Sequence, residues 1–294
     1  MLASVLLGLS PPGATDEISL DQADGSALLL EAPAERIVTL SPHLTELVFA
    51  AGAGKRLLAT VEYSDYPAAA AEIPRVGDAF RLDIERIASL QPDLVIAWSS
   101  GNPQQAIAQI SSLGIPVWSV EIRSPAEIAD ALESVGRATG SEGAAGAEAN
   151  RVRDQLQRIS SQYADAPTLE YFYQVGARPL FTLNGSHLVS KGMRLCGGSN
   201  IFDQEPGLAF QVSFESVIVA DPDALFAPYH EGAADPLADW REWNAMRAVR
   251  NNALFLLPAD NISRATPRFL DSLEIACKLL HSLREPGRDE QPTD

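Results

Sequence analysis

SEGAAGAEANRVRDQLQRISSQYAD, residues 141–165, is the stretch of this sequence that decides its fold. Its apolar side chains recur at intervals of three and four residues, which places them on one face of a helix: Ala145, Ala149, Val152, Leu156, Ile159 and Tyr163. Ser141 is suited to cap this helix, and Pro167 to end it. At roughly 1.5 Å per residue, the pattern predicts a rigid rod about 36 Å long.

Similar lengths of chain lie on either side of this rod, and the two halves share a plan. ERIASLQPDLVIAW (85–98) and ESVIVADPDALFAP (215–228) each run from a Glu through a short helix to Pro-Asp and an apolar strand. A further helix and strand follow in each half. The sequence therefore predicts an N-terminal α/β lobe over 16–140, a connecting helix over 141–166 and a C-terminal α/β lobe over 167–285. One large domain with a long helix packed on it is the alternative.

The strands of each half are continuously apolar and alternate with helices. RIVTL (36–40), LVIAW (94–98) and EYFYQV (170–175) are examples, and Lys191 to Cys196 reads as the beginning of a helix. Such strands predict doubly wound parallel sheets with both faces covered. Ligands bind beyond the carboxyl ends of parallel strands, so we expect a ligand cleft between the lobes. A hairpin over 17–32 is predicted to precede the first sheet.

Both chain ends and the composition restrict the class of protein. LASVLLGL (2–9) resembles the apolar core of a secretory signal, although no basic residue precedes Arg36. We interpret 1–15 as the remnant of a signal, which favours export to the periplasm, and 286–294 as a flexible tail. A net charge of −17 argues against nucleic acid or anionic membrane as a partner.

An exported chain with two cysteines commonly pairs them, which predicts a Cys196–Cys277 disulfide. Two free thiols in a cytosolic protein are the alternative.

Catalytic and metal-binding signatures do not emerge from the sequence. It has no nucleophile elbow, phosphate-binding loop or HExxH motif, so we expect a binding protein and not an enzyme. An acid/base pair of cleft carboxylates is the low-ranked alternative. The four histidines are scattered, and no bare metal site or cofactor is expected. His43 could face the cleft as an axial ligand to haem iron or corrin cobalt, or be a solvated residue at a helix start.

At several motifs the chain also resembles a known family. The N-terminal half resembles periplasmic cobalamin-binding proteins of ABC importers at RIVTLSPHLTELVFAAG, EYSDYP and LDIERIASLQPDLVIAW. The C-terminal half is similar to them at RLCGGSNIF, QVSFESV and SRATPR. The resemblance implies a monomer with two lobes and one connecting helix, which carries a corrinoid to an importer permease. Relatives with the same lobes carry haem, ferric siderophores or metal ions, and haem or a ferric siderophore is the alternative ligand.

The resemblance also implies which residues contact the ligand. The matching positions are Pro42, Tyr63, Trp98, Ser99, Gln174, Val175, Gly176, Asp260 and Arg264. The family's pattern leads us to expect tryptophan where this chain has Ala79 and Ala209, each followed by a phenylalanine. A shift of one residue would let the rings of Phe80 and Phe210 flank the ligand instead.

Importer docking in the family involves an acidic residue on each lobe. The matching N-terminal stretch, 102–105, is Asn-Pro-Gln-Gln and has no acid, whereas Glu231, Asp235 and Asp239 are available on the other lobe. Because a helix joins the lobes, we expect them to move little when ligand binds.

Overall fold

The computed structural model describes residues 17–284, so the predicted signal remnant and tail lie outside the described residues. The strands are β1 (Ile18–Asp21), β2 (Ala27–Leu30), β3 (Ile37–Thr39), β4 (Leu57–Ala59), β5 (Leu94–Trp98), β6 (Val117–Val120), β7 (Leu169–Ala177), β8 (Leu180–Leu183), β9 (Gly198–Asn200), β10 (Ala209–Gln211), β11 (Ala224–Tyr229) and β12 (Leu254–Pro258). The α-helices are α1 (Pro42–Ala50), α2 (Ile84–Ser89), α3 (Gln104–Ser112), α4 (Glu127–Thr139), α5 (Glu142–Gln162), α6 (Leu188–Arg194), α7 (Phe214–Ala220), α8 (Arg247–Arg250), α9 (Ala259–Ile262) and α10 (Pro267–Ser282). We call residues 17–140 the N-lobe and residues 167–284 the C-lobe.

The N-lobe is built on a fully parallel sheet in the order β4-β3-β5-β6. Alternate strand residues enter two separate cores, because successive side chains of a strand point to opposite faces. Ile37 and Ile96 pack with α1, α4 and α5, whereas Val38 and Val95 pack with α2 and α3. Helices therefore cover both faces, which confirms the predicted doubly wound fold. The predicted hairpin, β1 with β2, joins the edge of this lobe, where Trp118 Nε1 donates to the Asp21 carbonyl at 2.9 Å.

The C-lobe sheet is mixed, which the sequence did not predict. Strands β9, β7, β11 and β12 are parallel, but β8 and β10 are antiparallel additions on one side. Strand β7 continues past the predicted end at residue 175 to Ala177 and turns into β8. Helix α6 begins at Leu188, not at Lys191 as predicted, because the His187 side chain accepts a hydrogen bond from the Val189 amide and caps it.

Helix α5 forms the predicted connection between the lobes. Ala145, Ala149 and Val152 are fully buried, which confirms the apolar face inferred from the spacing. The 21 residues of the helix make a rod about 31 Å long. Ser141 does not cap it, because the Ser141 hydroxyl pairs with Thr139 Oγ1 at 2.7 Å instead. The helix packs against α1 and α4 on one side and α10 on the other, so one apolar core runs through both lobes.

The predicted disulfide joins Cys196, just after α6, to Cys277 on α10, with 5.4 Å between their Cα atoms. Both cysteines are fully buried. Among the helices of residues 17–284, none is both long and apolar enough to cross a membrane.

Candidate ligand-binding cleft

A cavity of about 320 Å³ opens between the lobes, a volume within the range of small-molecule sites. Its N-lobe wall consists of Pro42, His43, Trp98, Ser100, Glu121, Ile122 and Arg123. Its C-lobe wall consists of Ser186, His187, Leu188, Leu208, Ser263, Arg264 and Ala265. Three of the predicted contact residues, Pro42, Trp98 and Arg264, therefore meet in one cleft.

The start of α1 and the end of β5 form the aromatic part of the N-lobe wall. Pro42 occupies the first turn of α1, where its missing N–H costs nothing. The next residue, His43, lies edge-on to the Trp98 indole, with 5.3 Å between ring centroids and 88° between planes. Gly101 allows this position of the indole, since a Cβ there would lie 1.9 Å from Trp98 Cε3.

Asn102 ties three loops of the N-lobe wall together. Its Oδ1 accepts from the Trp98 amide at 2.7 Å, and its Nδ2 donates to the carbonyls of Leu40 and Ala79 at 2.8 Å each. The residue is only 4% exposed. Asn102 begins the stretch that matches the family's docking position and lacks an acid, and its burial makes it an internal brace. An isolated Asn after an apolar strand gives no signal of that role.

A cluster of buried hydroxyls supports the loop after β4. Thr60 Oγ1 donates to Ser64 Oγ at 2.9 Å, and Thr39 and Thr45 complete the cluster. The loop holds Tyr63 in the left-handed region at φ = 66°, a conformation that is costly for a bulky residue. The Tyr63 side chain is 75% exposed, so its packing does not stabilise this conformation. A strained backbone conformation that the surrounding loop holds in place beside a cleft is typical of a functional position.

A buried ion-pair cluster joins the lobes at the cleft. Glu46 of α1, 3% exposed, accepts from Arg264 at 2.7 Å and from Arg268 at 2.6 Å. Arg264 also donates to Asp260 at 2.9 Å and to the Tyr63 carbonyl at 3.2 Å. Burial opposes the charge on Arg264, but the hydrogen bond and charge of Glu46 raise its pKa above the ordinary value. Sequence reasoning proposed the Asp260–Arg264 pair and missed Glu46, which lies 218 residues from Arg264.

The second arginine of this cluster braces the same loop. The Arg268 guanidinium lies 3.7 Å from the centre of the Tyr66 ring, close enough for a cation–π contact. Arg264 and Arg268 belong to the C-lobe, whereas Glu46, Tyr63 and Tyr66 belong to the N-lobe. The lobes are therefore connected by charge and hydrogen bonds as well as by α5.

One histidine lines the cleft from each lobe. Burial lowers the pKa of His43 to about 4, with a further contribution from the Arg264 charge. Burial likewise lowers the pKa of His187 to about 4. Both rings are therefore neutral at pH 7. The sequence reasoning missed His187, whose position before the apolar start of α6 was the available signal.

Other predicted contact residues lie away from this cavity. Gln174 is 1% exposed, because it accepts from Trp240 Nε1 at 2.7 Å and donates to the Pro236 carbonyl at 2.6 Å. Its neighbours Val175 and Gly176 follow β7 into the hairpin with β8 and do not line the cavity. The resemblance implied that these three residues line the C-lobe wall, and their contact with a ligand stays a prediction.

The two phenylalanines proposed to replace missing tryptophans have different surroundings. Phe210 packs edge-on against Phe202, with 5.9 Å between centroids. Phe80 is 70% exposed, and its loop is shaped by the Asp78 carboxylate, which accepts from the amide of Phe80 at 2.8 Å. Neither ring lines the cavity, and Ser100 lines it in place of Ser99. Ligand contact by Phe80, Phe210 and Ser99 stays a prediction.

Two α/β lobes joined by a single helix around a cleft define the class of two-lobed ligand-binding proteins. Within residues 17–284, no three His, Cys, Asp or Glu side chains are grouped so as to hold a metal ion. The chain belongs to the periplasmic binding protein family, whose model matches residues 37–261.

Relatives within this family are similar over nearly their whole length. The vitamin B12-binding protein of Vibrio cholerae is 40% identical over 256 residues, which cover 87% of this chain and 92% of that protein. The vitamin B12-binding protein of Yersinia pestis is 34% identical over 262 residues, 89% of this chain and 92% of that one. The crystal structure of the periplasmic vitamin B12 binding protein BtuF of Vibrio cholerae superposes with a TM-score of 0.79 at 38% identity, covering 86% of this chain and 99% of that one. A periplasmic haem-binding protein from Pseudomonas aeruginosa, at 21% identity over 83% of this chain and 91% of that one, shares the fold with a TM-score of 0.73.

Proposed function

We propose that this protein captures cobalamin or a related corrinoid in the interlobe cleft and delivers it to an ABC importer. The observation that carries the proposal is the 40% identity to a vitamin B12-binding protein, since the match covers 92% of that relative and therefore both walls of the cleft. The haem-binding neighbours, near 21% identity, share the architecture alone and do not favour haem.

The residues of the cleft suit a wide, planar ligand with amide side chains. Trp98 and Pro42 from one lobe and Leu188 and Leu208 from the other offer apolar contact area. Arg264 adds a polar group to the C-lobe wall, held in place by Glu46, Asp260 and the Tyr63 carbonyl. A corrinoid is larger than the 320 Å³ cavity, so it would extend over the exposed rim, where Tyr63 is presented.

The lobes are expected to move little on binding. Helix α5 is buried against helices of both lobes, and Glu46 binds two arginines across the cleft. Opening the lobes would break the hydrogen bonds between these ionised groups, which are stronger than those between neutral groups. A scattering profile that contracts strongly with ligand would contradict this expectation.

Location and partner follow from the family. A periplasmic location fits the family, and an importer permease is the proposed partner. On the C-lobe, Asp235 pairs with Arg241 and Asp239 with Arg178, at 2.8 Å each. Glu231 and Asp239 are exposed, whereas Asp235 is half-buried. We further propose that the bound ligand is released unchanged, without catalysis.

The proposal is tested by titrating purified protein with cyanocobalamin, haemin and a ferric siderophore, using calorimetry and visible spectroscopy. We expect binding of one cyanocobalamin per chain and neither of the others.

Trp98→Ala should weaken binding at least about tenfold, since a buried aromatic contact contributes one to a few kcal/mol. The matched control is Trp243→Ala, which removes an indole that is 44% exposed and outside the cavity. Binding of haemin in preference to cyanocobalamin would overturn the proposal.

A further inference from the structure

The imidazole of His43 offers the cleft one nitrogen and is fixed by the other. Its Nδ1 lies 2.6 Å from the Ser41 hydroxyl. The ring is held further by its edge-on contact with Trp98. His43 lines the cavity, and none of the residues 17–284 forms a hydrogen bond with its Nε2. The cavity is therefore lined by an imidazole whose Nε2 has no hydrogen-bond partner among the described residues.

The chemical state of this nitrogen suits metal coordination. The environment lowers the pKa of His43 to about 4, so the ring is neutral and one nitrogen carries a lone pair. When Nδ1–H donates to the Ser41 oxygen, that lone pair lies on Nε2. A hydrogen bond from the other ring nitrogen is the usual way in which a metal-binding histidine is fixed in the required tautomer.

His187, on the opposite wall, is in the reverse state. Its Nδ1 accepts from the Val189 amide at 3.2 Å, so in the neutral ring the proton is on Nε2. The Nε2 of His187 is therefore a hydrogen-bond donor, and it would have to give up its proton or its helix cap to bind a metal. When the Ser41 oxygen accepts from His43 Nδ1–H, the two walls differ: His43 offers a lone pair on Nε2, and His187 offers a proton.

We infer that His43 Nε2 coordinates the cobalt of corrinoids whose upper axial ligand is exchangeable, so that the cleft distinguishes corrinoids by that ligand. This inference rests on the proposed corrinoid-binding function and chooses between the roles that the sequence left open for His43. No bare metal ion is involved, because the corrin ring supplies the other ligands to cobalt.

The step is a ligand exchange that balances without a co-reactant. In aquocobalamin the lone pair of His43 Nε2 forms a Co–N bond while the Co–O bond to the upper water breaks. The water leaves with its electron pair and both protons. Cobalt remains Co(III), and Nδ1 keeps its proton and its bond to Ser41. In cyanocobalamin the strong Co–C bond prevents the same exchange.

The test compares aquocobalamin with cyanocobalamin on the whole protein, by visible spectroscopy and calorimetry. With the wild-type protein, bound aquocobalamin should show the red-shifted spectrum of imidazole-ligated cobalamin, and bound cyanocobalamin should keep its own spectrum. His43→Ala should abolish that shift. It should also weaken aquocobalamin at least about tenfold more than it weakens cyanocobalamin.

A matched variant assigns the effect to one imidazole. His230→Ala removes an exposed histidine outside the cavity and should leave the red shift in place. An unshifted spectrum of bound aquocobalamin, or a shift that survives in His43→Ala, would overturn the inference while cyanocobalamin binding still supports the proposed function. If neither cobalamin binds, the proposed function fails, and the inference fails with it.

Discussion

The two lobes share an α/β plan but build their walls of the cleft in different ways. In the N-lobe, Trp98 ends the parallel strand β5, Pro42 begins the helix after β3, and Asn102 braces their loops. In the C-lobe, His187 and Leu188 belong to the start of α6, which follows the antiparallel strand β8. The rule that ligands lie beyond the carboxyl ends of parallel strands therefore locates the N-lobe wall and the residues after β12, but not the part of the C-lobe wall formed by α6.

The lobes also differ in what stabilises them. Buried hydroxyls and an amide hold the N-lobe loops, whereas a disulfide fixes α6 to α10 behind the C-lobe wall. Hydrogen-bonded loops can present a strained residue such as Tyr63. A covalent link restrains a helix whose start forms the other wall. Four measurements would sharpen or break this contrast.

Removing the disulfide should give the largest effect. Cys196→Ser with Cys277→Ser opens a loop of 81 residues and should lower the free energy of unfolding by about 4 kcal/mol. Since one core runs through both lobes, we expect a single guanidinium transition by fluorescence and circular dichroism. The comparison is wild-type protein without and with reductant. A variant whose C-lobe unfolds while the N-lobe persists would show that the lobes are independent.

Breaking the ion pair between the lobes should rank second. Glu46→Gln removes the negative charge opposite two partly buried arginines. This loss should lower the free energy of unfolding by about 3 kcal/mol. Ligand-induced contraction measured by scattering should increase, because the lobes are less firmly connected. Glu148→Gln is the matched control, since Glu148 pairs with Arg151 within α5 alone. An unchanged scattering response would mean that α5 suffices to fix the lobes.

Acid should destabilise both lobes through their cleft histidines. The folded-state pKa of about 4 for His43 and His187 lies below the unfolded value of 6.5, so the unfolded chain binds more protons between these limits. The contribution of these histidines to the free energy of unfolding is complete above pH 6.5 and decreases toward pH 4. The decrease is at most about 1.4 kcal/mol per pH unit for each histidine.

Denaturant titrations at pH 7 and pH 5 measure this loss. His43→Leu and His187→Asn should each remove a similar part of it, since each lobe contributes one histidine. The result would contradict the prediction if neither variant changed the difference in unfolding free energy between the two pH values.

Replacing Tyr63 should give the smallest change in stability and a loss of binding. Tyr63→Gly removes an exposed ring and relieves the left-handed backbone, so the free energy of unfolding should change by less than about 1 kcal/mol. Affinity for cyanocobalamin should fall about tenfold if the ring contacts the ligand. Tyr229→Gly, at an exposed strand end outside the cavity, is the control for binding. Unchanged affinity would remove Tyr63 from the site.

Much of the fold could be predicted because it depends on local periodicity. The burial of Ala145, Ala149 and Val152 follows from spacing on a helix, and apolar strands such as β5 mark a covered sheet. The antiparallel strand β8 was missed because the turn that redirects β7 is short and has no periodic signal. Gln174, which the resemblance placed at the cleft wall, is held in the core by a hydrogen bond from Trp240.

The sequence by itself determined the class of fold, the connecting helix, the disulfide and three residues of the cleft, because each depends on local pattern or on a matched motif. Only the tertiary structure decided that Glu46 joins the lobes, that Asn102 braces the N-lobe wall and that His43 and His187 face one cavity. Those relations join residues far apart in the chain. Hydrogen-bond direction and burial arise when the lobes assemble, so no single segment encodes them.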